Sequence, residues 1–241
     1  MKNIIPIINF VIFSTVAISE KEKQLRVLLK QPTQEDSKDG YELPFTNLED
    51  DMDVDKSSYN FLQSITTSAI KLKPLGTSTD PLLSNNDGDR FIKFSFYCVV
   101  QEDVADELSK DNLYQWIDLS DDFPKLTSEY KFSQDIEKSF VIIGKELKGV
   151  ELIETILEFL PNKFKSKDAE YVAKLFNKER KDMFVFFRYL REQSKPDEIK
   201  TNRKHIKVGQ KIRISSDKEA PKGKGSGIKG KPSIIYEKIT S

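Results

Sequence analysis

The chain has one histidine, His205, and it stands among cations. Arg203 and Lys204 precede it; Lys207, Lys211 and Arg213 follow. Positive neighbours disfavour the imidazolium, which biases His205 toward the neutral form that a general base needs. A neutral imidazole beside cations is a minimal kit for metal-independent RNA cleavage. It supplies a base for the 2′-hydroxyl and positive charge for the phosphate, while a Glu or Asp that the sequence does not identify would act as the acid. Without catalysis, Arg203, Lys204, Lys207, Lys211 and Arg213 still make a face that holds phosphate or a nucleic acid. A plainer reading is also open, because lysine-rich edge strands resist sheet-to-sheet aggregation.

Other chemistries are excluded by residue type. One His and one Cys cannot supply the three or four ligands of a zinc site, so no metal and no cofactor is expected. GSGIKGKP (Gly225 to Pro232) fits the first part of a nucleotide-binding loop, but Pro232 stands where a metal-binding Ser or Thr is required. SNNDGD would place Leu83 and Phe94 at the first and last ligand positions of a calcium loop, and neither has a side-chain oxygen. No G-x-S-x-G elbow exists to pair with His205. Cys98, on the apolar face of RFIKFSFYCVV, reads as a buried small hydrophobe, and Trp116 as a core or half-buried aromatic.

The elements that would position such residues are of mixed type. RFIKFSFYCVV is aromatic and β-branched on both faces, which predicts a central strand. QEDVADELSKDNLYQWIDL reads as one or two helices, and KSFVIIG as a short strand. Val150, Ile153, Leu157 and Leu160 recur at helical spacing before Pro161. A further helix starts near Ser166, and its end, with Phe184, Phe186, Phe187, Tyr189 and Leu190, is apolar nearly all round and should be buried. His205 to Ser216 alternates apolar and basic residues, the period of a half-buried strand. Ile234 to Tyr236 could add a last strand.

Lys and Arg number 39, as do Asp and Glu, but the charge is segregated. Between Gln31 and Asn60 nine acidic residues face two lysines; between Ile199 and Lys231 eleven basic residues face two acids. Such asymmetry suits self-complementation or an anionic partner.

The opening stretch, MKNIIPIINFVIFSTVAIS, has the form of a secretory signal: a positive Lys2, an apolar run, and small residues Ala17 and Ser19 before the charged EKEKQLR. The run is short for a membrane span, which needs about 20 residues. The expected fold class is therefore α+β: a single mixed domain with a few strands and three to four helices. The expected divisions are a signal peptide over 1–19, a flexible acidic lead-in over 20–56, the core over 57–216 and a basic Gly/Lys tail over 217–241. The function these features suggest is that of a secreted binding protein of the effector or virulence type, whose unidentified partner is a nucleic acid, RNA among them, or another anionic surface. The alternatives are a secreted toxin-like ribonuclease using His205, and an assembly or virion-type structural protein in which the apolar start is retained. Oligomerisation stays open.

Overall fold

The apolar opening stretch folds as the longest strand of a sheet. In the computed structural model, strand β1 covers Ile4–Ser19 and pairs in parallel with β5 (Arg90–Val99) from Ile4 to Phe13. Its other edge is shared by two antiparallel partners: β3 (Phe45–Asn47) along Ile7 to Asn9, and β2 (Glu22–Lys30) along Phe13 to Ser19. Strands β4 (Lys73–Asp80) and β6 (Tyr114–Asp118) complete the sheet, whose order is β4-β5-β1-β2-β6 with β3 on β1. Ile8, Phe10 and Ile12 are buried on one face, Ile7, Val11 and Phe13 on the other.

This placement corrects the signal-peptide reading and with it the secreted localisation. A doubly buried strand and the apolar core of a secretory signal need the same continuous hydrophobic composition, so the sequence pattern fits both. Residues 4–19 are a structural part of the sheet.

The described residues are 3–19, 22–31, 41–80, 90–119, 133–176, 178, 183–194, 212–214 and 235–239. They fall into two compact units, Met1–Ile142 and Ile143–Ser241. The α+β class is as expected, but six α-helices are described, more than three to four.

In the first unit, helices α1 (Val54–Ile65) and α2 (Glu102–Leu108) cover one face of the sheet. Asp53 caps α1 by accepting from the Lys56 N–H at 2.7 Å. Phe61 of α1 stacks on Phe10 with ring centroids 4.9 Å apart. Cys98 is fully buried in the same cluster, as its strand face implied. The two helices are tied at their ends: Glu107 accepts from the Thr66 hydroxyl (2.9 Å) and from the Thr67 N–H (2.9 Å) and hydroxyl (3.0 Å). The segment around Trp116, which reads as helical in sequence, is an edge strand after α2; the Trp116 indole N–H donates to the Ala105 carbonyl at 3.0 Å.

Helix α3 (Ser133–Val141) packs on the sheet's other side. It carries into a π-helical turn, Ile142–Glu146, so KSFVIIG is helical and not the strand expected. Ile136, Ser139 and Ile143 are buried at helical spacing, and a short apolar run alone cannot distinguish the two periods. Asp135 of α3 pairs with Lys93 at 3.0 Å and accepts from the Ser95 hydroxyl at 3.3 Å, all three side chains being buried.

In the second unit, α4 (Gly149–Phe159) buries Ile153, Ile156, Leu157 and Phe159. Helix α5 (Ser166–Leu175) is entered through Asp168, which accepts from the Lys165 N–H at 2.7 Å. The long helix expected from Ser166 onward is interrupted: the N–H groups of Phe176 and Lys178 both close on the Ala173 carbonyl, and α6 (Phe184–Ser194) starts afresh. The break lets Phe176 and Phe186 both reach the core. Gly144 packs closely beside it: a Cβ there would lie 3.0 Å from the Phe176 carbonyl oxygen, so a larger residue would require the chain at Phe176 to give by a few tenths of an ångström. Tyr189 of α6 is buried, and burial pushes its phenol up to about 12.

Strands β7 (Lys163–Lys165), β8 (Ile212–Ile214) and β9 (Ile235–Lys238) form a second, antiparallel sheet in the order β7-β9-β8. The last strand expected near Ile234 is thus present. Lys238 donates to the Leu160 carbonyl at the end of α4, a cation on the negative end of the helix dipole. No helix among the described residues is long and apolar enough to cross a membrane.

Candidate functional site

The charge segregation in the sequence coincides with the division of the fold. Ile143–Ser241 holds 24 Lys and Arg against 14 Asp and Glu, a formal +10. Met1–Ile142 holds 15 against 25, a formal −10. The neutral total is the sum of two oppositely charged units.

Within the basic unit the helices differ in what they show to solvent. The less buried side of α4 carries Glu151, Glu154 and Glu158, which repel an anion. Helix α5 mixes Lys167 and Lys174 with Glu170. Helix α6 buries Phe186, Tyr189 and Leu190 and turns Phe184, Arg188 and Arg191 the other way. At 100° per residue, Arg188 lies 40° to one side of Phe184 and Arg191 20° to the other, so the three share one narrow stripe. Arg188 is held in place: its Nε donates to Glu192 Oε1 at 2.8 Å, one turn on, and that carboxylate is buried.

Phe184 departs from its expected place. It is 64% exposed, the highest value for a large hydrophobic residue among the described residues. The aromatic-rich end of the helix reads in sequence as buried all round, but a helix against one core can bury only one side. Arg188 and Arg191, four and seven residues beyond Phe184, are the signal that this side is open.

Of the residues singled out from sequence, Arg203, Lys204, His205, Lys207 and Lys211 lie outside the described residues. Arg213 is on β8, opposite Glu237 of β9. The chain between β8 and β9, which are antiparallel neighbours, contains Lys218, Lys222, Lys224, Lys229 and Lys231. In sequence the basic stretch leads into β8, and the Gly/Lys-rich stretch joins β8 to β9.

The acidic unit offers a different surface. The exposed side of α1 carries Asp55, Lys56, Tyr59, Asn60, Gln63 and Ser64, with a single carboxylate among them. Among the described residues no three His, Cys, Asp or Glu side chains gather where they could hold a metal ion. Arg26 of β2 stacks on Trp116 at 4.9 Å, and its Nε and Nη2 are buried without hydrogen-bond partners. Burial pulls this guanidinium below its ordinary value, against the raising influence of Asp106, Glu102 and Asp118. Those three acids make the surroundings of Arg26 unsuited to an anionic ligand.

No protein-family model matches the chain, and no curated protein matches it. Solved structures do share its fold. Shewanella oneidensis NrtR complexed with a 27mer DNA superposes with a TM-score of 0.65 over 96% of this chain and 92% of that one, at 14% identity. Shewanella oneidensis NrtR alone gives 0.59 over 79% and 85%, at 16% identity. A MutT/nudix family protein from Enterococcus faecalis gives 0.56 over 98% and 87%, at 14% identity. At such identities the likeness is one of fold, and it spans both units. The fold shared with these structures does not bear out the expected secreted effector, virulence factor or toxin-like RNA-cleaving enzyme, and those readings are withdrawn. The assembly reading keeps the apolar start inside the fold, but its structural role has no counterpart in these neighbours.

Proposed function

We propose that this chain is a DNA-binding protein of NrtR-like architecture, in which the basic unit contacts the duplex and the acidic Nudix-like unit does not. The observation that carries this reading is the segregation of charge onto the unit that presents α6, a formal +10 against −10. The fold likeness to a protein solved on DNA, over 96% of the chain, supports it. Arg203, Lys204, Lys207, Lys211 and Arg213, with the lysines between β8 and β9, then serve as phosphate contacts, which set affinity and carry no sequence information.

The test is binding of the full chain to a labelled duplex of about 30 base pairs, roughly three helical turns, at a series of salt concentrations. Affinity should fall linearly on a log–log plot, with a slope near −0.9 for each phosphate neutralised. Changing Lys207, Lys211 and Arg213 to Glu should flatten the slope by about three such contacts. Absence of duplex binding at low salt, or binding indifferent to salt, would overturn the reading.

The likeness to a MutT/nudix family protein favours a second reading, a hydrolase. Divalent-metal catalysis at a phosphate needs several carboxylates close together, and the described residues supply no such group. Phosphate release from nucleoside di- and triphosphates in the presence of magnesium would support this second reading over the first.

A further inference from the structure

The cations of the basic unit explain affinity for a duplex and leave open how one base sequence is told from another. Base edges are read by bidentate side chains and by apolar contacts to the thymine methyl. On a helix lying in the major groove, the residues that reach the bases come from its N-terminal part. Phe184 is the first residue of α6, is 64% exposed, and lies on the stripe of Arg188 and Arg191. A large apolar side chain left in water at the head of a stripe that continues with two arginines, on a unit of formal charge +10, suits a polyanion that offers an apolar spot beside its phosphates. Duplex DNA has that chemistry where a thymine methyl faces the major groove.

We propose that Phe184 is a specificity-determining residue, reading the 5-methyl group of a thymine while Arg188 and Arg191, one and two turns further along the same stripe, hold the neighbouring backbone or bases. The assignment rests on the DNA-binding reading above. Arg188 is tied to this stripe by its Nε hydrogen bond to Glu192 Oε1 at 2.8 Å.

The experiment has two stages. The full-length chain is first used to select duplexes from a random library. Each thymine of the selected site is then replaced in turn by deoxyuridine, which removes only the methyl. The wild type should lose about four-fold in affinity at one position, the worth of one buried methyl. Phe184→Ala should bind the parent site more weakly and be insensitive to the replacement at that position. Phe184→Leu, which keeps an apolar contact, should retain part of the discrimination. Because Phe184 is exposed, these variants leave the core untouched. If the wild type binds DNA but no thymine position responds, or Phe184→Ala responds as the wild type does, the assignment of Phe184 is overturned while the DNA-binding reading stands. If the wild type selects no duplex, both fall.

Discussion

Removing residues 1–19 tests directly whether the apolar opening is structure. A chain beginning at Glu20 lacks β1 and with it the partner of β2, β3 and β5. Six apolar side chains, Ile7, Ile8, Phe10, Val11, Ile12 and Phe13, leave the core. At about 1.5–3 kcal/mol for each such burial, the loss is on the order of 10 kcal/mol. Typical domain stability is about 5–15 kcal/mol, so the first unit should not fold. Trp116 is the sole tryptophan and packs against this unit's core, so its emission reports the unit without interference from the rest of the chain. Residues 20–241 should show water-exposed Trp116 emission before any urea is added. Phe10→Ala, a milder change, should cost about 3–5 kcal/mol and lower the urea midpoint by roughly 2 M. If residues 20–241 kept a buried Trp116 and the midpoint of the whole chain, β1 would be dispensable and could not be the strand on which β2, β3 and β5 assemble.

Two further outcomes are expected. Asp135→Ala strands the buried Lys93 charge and should destabilise the first unit by about 3–5 kcal/mol, whereas Lys93→Met with Asp135→Leu should recover most of the loss in the same urea assay. The hydrogen bonds from Thr67 and Thr66 hold the Glu107 carboxyl below its ordinary value. Its contribution to stability is therefore present above the unfolded glutamate range and is lost as the pH falls through the lower, folded value. Carboxyl NMR should place its midpoint below that of a Thr66→Ala, Thr67→Ala double variant, which keeps the Thr67 N–H and loses the two hydroxyls; equal midpoints would show that the hydroxyls do not act on Glu107.

Composition and periodicity determined a good deal of this protein. The mixed α+β class, the strand at RFIKFSFYCVV, the burial of Cys98, the helix before Pro161 and the final strand were all legible, because each is signalled by residue type and hydrophobic periodicity within a short window. So was the opposition of charge, which needs only counting. What the tertiary structure decided was the meaning of patterns that fit two environments equally. The apolar run 4–19 suits a cleaved leader or a strand buried on both faces, and only its pairing with β2, β3 and β5 distinguishes them. KSFVIIG is too short for its period to be read. The aromatic end of α6 holds more large apolar residues than one buried face can cover. Which residue stays in water was settled by where the core lies, and that placed Phe184 beside Arg188 and Arg191 at the surface. The candidate site was missed for that reason: a surface is the complement of a core, and although Arg188 and Arg191 mark the open side in sequence, which aromatic stays on it is decided by long-range packing.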